Sequence, residues 1–204
     1  MIKKLQSLKK KKGFTLVELI VVIAIIGVLA AILVPTMLGY VTSSRITSAN
    51  STASSLRSSI NSFITSMDSA GAGIKRSTTA STWTITVSGG TVTATPAASD
   101  LTNSASSYSY TATNSKVDGS CNSGFAGKFA DMIANDYTFT DAAVTAYIQN
   151  GQCIGVVYYA GDTMPSDIPG DSDFTAGTYA WDSANDVGVK GGEIIGTNPD
   201  LKMS

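Results

Sequence analysis

Residues 14–34, FTLVELIVVIAIIGVLAAILV, are apolar on every side, with one charge, Glu18, and one weakly polar residue, Thr15. At ~1.5 Å per residue this run of about 21 residues is roughly 31 Å long, enough to cross the ~30 Å hydrocarbon core of a bilayer as a helix. After Pro35 the pattern changes. Ile46, Ala49, Ala53, Leu56, Ile60, Phe63 and Met67 recur at alternating spacings of three and four, with Ser, Thr, Asn, Arg45 and Arg57 between them. That spacing predicts an amphipathic helix. A coiled-coil seam has the same spacing, but the expected use is packing against a sheet of the same chain. A single helix is therefore expected from Phe14 to Met67, stopped by Ala70-Gly71-Ala72-Gly73.

Beyond that helix the periods shorten. Trp83, Ile85 and Val87 alternate with threonines, Gly89-Gly90 supplies a turn, and Thr91-Val92-Thr93 returns, so residues 82–95 read as a hairpin. Tyr108 to Thr113 is a third candidate strand. Phe125, Phe129, Met132 and Ile133 have helical spacing, and a second short helix is expected at 141–149, capped by Thr140, with Val144, Tyr147 and Ile148 as its apolar face. Cys153 to Tyr159 is the strongest strand. The loop-rich tail offers short strands near Thr178–Trp181 and Asp186–Val189. Together these elements predict an α+β fold: a long N-terminal helix on a small, mainly antiparallel sheet.

Charge sharpens the picture at one end. Six of the 14 basic residues, Lys3, Lys4 and Lys9 to Lys12, precede the apolar run; from residue 14 onward eight basic residues face fifteen acidic ones. The lysines keep that end in the cytoplasm and send the C-terminus out. The acidic remainder offers no general attraction for nucleic acid. With no histidine in the chain, His-based triads, metal sites and general bases are excluded, and no nucleophile–base pair or phosphate loop takes their place. An ordinary secretory signal peptide or a plain membrane anchor would also begin with lysines and an apolar run. Neither needs a carboxylate at position 18, which costs on the order of 2.5–3.5 kcal/mol inside a membrane span and calls for a partner.

The stretch KKGFTLVELIVVIAIIGVLAAILVP, about residues 9 to 35, resembles the N-terminus of a type IV prepilin, a superfamily that includes the pseudopilins of type II secretion. The resemblance implies cleavage after Gly13 by a membrane prepilin peptidase and N-methylation of Phe14. It implies a protomer that waits in membrane lipid and then polymerises as a homo-oligomeric helical filament, driven by an assembly ATPase and a platform membrane protein. Residues 1–13 would be the leader, 14–38 the membrane and assembly helix, 39–68 its amphipathic half and 69–204 the globular head. Glu18 would pair with the Phe14 amine of a neighbouring subunit. The helix would loosen between Gly27 and Pro35 in the fibre. A type IV pilus subunit is the leading expectation, a pseudopilin or competence pilin the alternative, and a membrane-anchored enzyme or binding domain the reading from another class. No cofactor is expected.

Three features stand apart. Cys121 and Cys153, the only cysteines, would form a disulfide outside the membrane, closing a loop of roughly 33 residues and contributing about 3 kcal/mol; two buried free thiols are the alternative. Asp171 and Asp173 are weak calcium candidates within a tail that also holds Asp162, Asp167, Asp182 and Asp186, without the spacing of an EF-hand; a solvated acidic loop is the plainer reading. Asn50-Ser51-Thr52 is a glycosylation sequon, a triplet frequent by chance.

Overall fold

The computed structural model describes residues 13–182 and 187–204; the leader lysines and the part of the expected Asp186–Val189 strand at Asp186 lie outside them. The chain divides into two compact units, the first ending at Thr42 and the second Ser43–Ser204. Helix α1, Leu16–Ser69, is continuous through Pro35. It ends where predicted: Gly71 takes a left-handed φ of 76° and the Ala72 N–H donates back to the Met67 carbonyl at 3.0 Å, a glycine-dependent stop.

Within Ser43–Ser204 a six-stranded antiparallel sheet has the order β2-β1-β3-β4-β7-β6. Its strands are β1 Ser81–Ser88, β2 Thr91–Thr95, β3 Ala142–Gln149, β4 Gln152–Tyr159, β6 Val189–Lys190 and β7 Glu193–Asn198. A separate parallel pair joins β5, Thr178–Tyr179, to β8, Lys202–Met203. Among the described residues, three short α-helices, α2 Asn103–Ser106, α3 Gly124–Asp136 and α4 Asp171–Ala176, and a 3-10 turn at Ala98–Asp100 complete this unit.

All seven residues of the predicted stripe are buried, joined by Ile64. From Ala49 to Met67 they share one core with Trp83, Ile85 and Val87 of β1, Val144 and Ile148 of β3, and Phe125 and Phe129 of α3. Phe63 sits at its centre, with ring centroids 5.2 Å from Phe125 and 5.1 Å from Phe129, while Trp83 lies 5.7 and 5.2 Å from the same two rings. The helix approaches the sheet so closely at one point that a Cβ on Gly196 would collide with the Ala49 backbone. Polar side chains beside the stripe grip strand backbone directly. Asn50 Oδ1 accepts the Thr197 N–H at 2.9 Å, Asn61 Oδ1 accepts the Cys153 N–H at 2.9 Å, and Arg57 Nε donates to the Cys153 carbonyl at 3.0 Å. The sequon asparagine is thus engaged in holding β7.

The opposite face of β3 and β4 carries a second core, built by Tyr147, Val157, Phe174, Tyr179, Trp181, Ile195 and Leu201. This explains one failed expectation. Residues 141–149 are not a helix but the central strand β3, buried on both faces from Ala142 to Ile148. Two-sided burial erases the alternation by which a strand is recognised, and Val144, Tyr147 and Ile148 match a helical face only by coincidence. The turn that closes the β3–β4 hairpin, Asn150-Gly151, has φ values of 52° and 75°, the left-handed pair that suits a two-residue hairpin. The hairpin at Gly89-Gly90, the helix over Phe125–Ala134 and the strand from Cys153 form as expected. Tyr108–Thr113 does not form a strand; its one ladder contact is the bridge from Thr111 to Ser123.

The expected disulfide is also corrected. Cys121 and Cys153 are free and buried. Cys121 lies beside β2, its sulfur 3.5 Å from the Ala94 nitrogen, whereas Cys153 opens β4. With β1 and β3 between, those strands are three spacings, about 14 Å, apart, and a disulfide requires Cα atoms within about 7 Å. Burial pushes the Cys153 thiol up to about 12. The loop around 141–149 is accordingly not cross-linked. Asp171 and Asp173 lie in the first turn of α4, where the Asp173 carboxylate accepts the Gly170 N–H at 2.7 Å; among the described residues no group of three or more His, Cys, Asp or Glu could hold a metal ion.

Two buried carboxylates organise the connections. Asp100 accepts from Trp83 Nε1 at 2.7 Å and from the Ser81 hydroxyl. Asp131 of α3 accepts from the Tyr110 hydroxyl at 2.5 Å, the Asn114 N–H at 2.8 Å, and the Thr113 hydroxyl and N–H at 3.0 and 3.2 Å. Burial alone would raise the Asp131 carboxyl, but these bonds, Tyr110's first, hold it below the usual carboxylate range. A depressed carboxyl stabilises the fold above its unfolded value, about 3.9, and loses that contribution as pH falls through the lower folded value. Asp131→Asn turns an acceptor of four bonds into a group that faces them partly with donors. It is expected to lower stability by about 2 kcal/mol at neutral pH and to reduce the loss of stability below about pH 4, both measurable by urea unfolding at several pH values.

Candidate functional site: the N-terminal cap of the long helix

The first unit presents an apolar surface around the whole helix. Phe14 is 85% exposed, and every large apolar residue from Leu16 to Val41 is exposed with it. This is the one helix among the described residues long and apolar enough to cross a membrane. Its interior hydroxyls are already satisfied: Thr36 Oγ1 donates to the Leu33 carbonyl at 2.9 Å and Thr42 Oγ1 to the Leu38 carbonyl at 3.2 Å, as an apolar surrounding requires. Gly27 leaves an open notch, with nothing within 4 Å of where its Cβ would stand. Pro35 lies inside the helix and removes one backbone donor.

Glu18 sits in the first turn. One of its carboxylate oxygens accepts from both the Thr15 N–H and the Thr15 hydroxyl at 2.8 Å, and the Glu18 N–H donates back to Thr15 Oγ1 at 3.2 Å. Thr15 is therefore the N-cap and Glu18 the third helical residue of a reciprocal capping box. The negative charge also lies at the positive end of the helix dipole. Sequence reasoning singled out Glu18 and missed Thr15, although the T-x-x-E spacing ahead of an apolar run carries that signal. Gly13 and Phe14 precede the cap as exposed, non-helical residues. Cys121, Cys153, Asp171 and Asp173 all belong to the second unit and take no part.

The helix thus begins in a charged cap, continues as an all-round apolar surface and ends as an amphipathic stripe on an antiparallel sheet. The family described as the prokaryotic N-terminal methylation motif matches residues 8–34. Among curated proteins, the chain is 46% identical over 55 residues to a fimbrial protein of Pseudomonas aeruginosa, covering 27% of this chain and 36% of that one. It is 44% identical over 50 residues to the type IV major fimbrial protein FimA of Dichelobacter nodosus, covering 24% and 32%. With the fimbrial protein EcpC of Eikenella corrodens it shares 41% identity over 69 residues, 31% and 45% of the two chains. The matches span between about a third and a half of these relatives' length. No solved structure matches significantly. The chain thus carries the N-terminal methylation motif and is similar over part of its length to type IV fimbrial proteins.

Proposed function

We propose that this chain is a structural subunit of a type IV pilus, cleaved after Gly13 by a prepilin peptidase and N-methylated at Phe14. Residues 14–38 hold it in the cytoplasmic membrane with the C-terminus outside. The same helix then polymerises into an extracellular fibre, with residues 69–204 as its surface, driven by an assembly ATPase and a platform protein. The observation that carries this reading is a methylation motif at the head of a helix that is apolar on all sides. Such a surface has two compatible surroundings, lipid tails and other copies of itself. The fimbrial relatives favour a structural subunit over an enzyme, and a pilus over a pseudopilin or competence pilin. Glu18 supplies register: once Phe14 carries a free amine, the carboxylate of one subunit pairs with the amine of the next, and both charges leave lipid together.

Intact-mass and N-terminal sequencing of the protein from cells should give a chain starting at N-methyl-Phe14, present in sheared surface fibres under the electron microscope. A product beginning at Met1 and absent from fibres would overturn the proposal. The two roles of Glu18 separate by substitution. Glu18→Gln keeps the capping acceptor and loses the charge, while Thr15→Ala loses the cap, at about 1 kcal/mol, and keeps the charge. Glu18→Gln and Glu18→Val should both be processed yet assemble few fibres, with Thr15→Ala assembling near normally; normal fibres from Glu18→Gln would reduce Glu18 to a cap. In assembled fibres the amides between Gly27 and Pro35 should exchange hydrogen faster than those of the flanking turns, because glycine and proline each weaken the local helix; equal protection would remove the loosening from the account.

A further inference from the structure

A groove of about 420 Å³ lies between the last turns of α1 and the β3–β4 turn, lined by Arg57, Asn61, Thr65, Asp68, Arg76 and Gln152 among others. It gathers two of the chain's three arginines in a unit whose charge is otherwise acidic. Arg57 is half-buried and its guanidinium is fixed, Nε on the Cys153 carbonyl at 3.0 Å and Nη1 on Asn198 Oδ1 at 3.2 Å. Both acceptors are neutral. Among the described residues the ion pairs are Arg76–Asp68 and Lys190–Asp167, so the held charge of Arg57 has no carboxylate beside it. A guanidinium so immobilised still has donors to give, in the planar fork that suits carboxylate and phosphate. Arg76, largely exposed, reaches Asp68 at 3.5 Å and supplies a second, movable guanidinium on the same groove.

We propose that this groove binds an oxyanion, a carboxylate or phosphate group, between Arg57 and Arg76. Arg57 is the fixed anchor and Arg76 the arm that closes on the ligand. Asp68 and the carbonyl end of α1 oppose an anion here. Asp68 is therefore an internal competitor: it occupies Arg76 while the groove is empty and must release it when the ligand enters. This sets opposite signs for two substitutions on one surface, which a merely structural ion pair would not produce.

The three arginine side chains give the test its own control, because Arg45 lies outside the groove. In the full chain held in detergent micelles and labelled with ¹⁵N-arginine, inorganic phosphate and glucuronate are titrated separately while the Nε–H signals are followed. The Arg57 and Arg76 signals should move together and saturate, with Arg45 unmoved. Response to phosphate alone assigns a phosphate ligand, response to glucuronate alone or to both assigns a carboxylate-tolerant site. Asp68→Asn should tighten binding about tenfold and Arg76→Gln should weaken it by about the same factor. Three arginine signals moving alike, no saturation with either anion, or weaker binding in Asp68→Asn would overturn the proposal.

Discussion

The packing of the Ile46–Met67 stripe on the sheet is the contact on which the second unit depends. Seven apolar side chains at alternating spacings of three and four give a helix one continuous buried edge. At ~25 cal/mol per Å² of apolar area, each fully buried large side chain contributes about 1.5–3 kcal/mol, so no other single element stabilises the fold as much. The stripe also dictates sizes. Ala49 is small where β7 comes close, and Gly196 is bare for the same reason. Further along, Phe63 packs against Phe125 and Phe129. Asn50, Arg57 and Asn61 then tie the flank of the helix to β4 and β7 backbone, which fixes the helix along its axis where apolar contact alone would let it slide.

What was legible in the sequence follows from how many faces of each element are covered. The long helix and the first hairpin have one buried face each, so period 3.6 and period 2 stand out in their residues. In β1, Trp83, Ile85 and Val87 are buried while Thr84 is exposed. Strand β3 has both faces covered, by α1 and α3 on one side and by Tyr179, Trp181 and Leu201 on the other. Its residues therefore carry no alternation, and its alanines suit a helix as well as a crowded strand. The decisive signal was the next dipeptide, Asn150-Gly151, a hairpin turn that leaves no space for a helix to end. The second core was illegible for a related reason. Its aromatic residues come from short, separate segments, and no local period links Phe174 to Trp181 or Leu201.

The cysteine pairing failed on geometry that only topology supplies. Spacing in sequence says nothing about strand order, and here two strands intervene. Both thiols behave as small apolar side chains in one core that is already large. An α1 stripe of this size removes the need for a cross-link that a smaller extracellular domain would have.

The N-terminal cap shows why an acid at position 18 asks for more than its own helix provides. Thr15 gives the Glu18 carboxylate two hydrogen bonds and receives one. These satisfy donors that every helix start leaves open, but they move no charge. In water that suffices, since solvent screens the carboxylate. In lipid or in a fibre core the full negative charge remains, and hydrogen bonds to neutral groups do not repay its desolvation. A capping glutamine would serve the helix end equally well at lower cost. The choice of glutamate therefore points outside the chain, to a positive charge delivered at the same depth. Within the apolar run itself, residues 14–34 contain no lysine or arginine, so the cation proposed for that depth is the amine that processing would expose at Phe14. On the proposed processing, cleavage after Gly13 would complete the site by creating the partner that the capped carboxylate lacks.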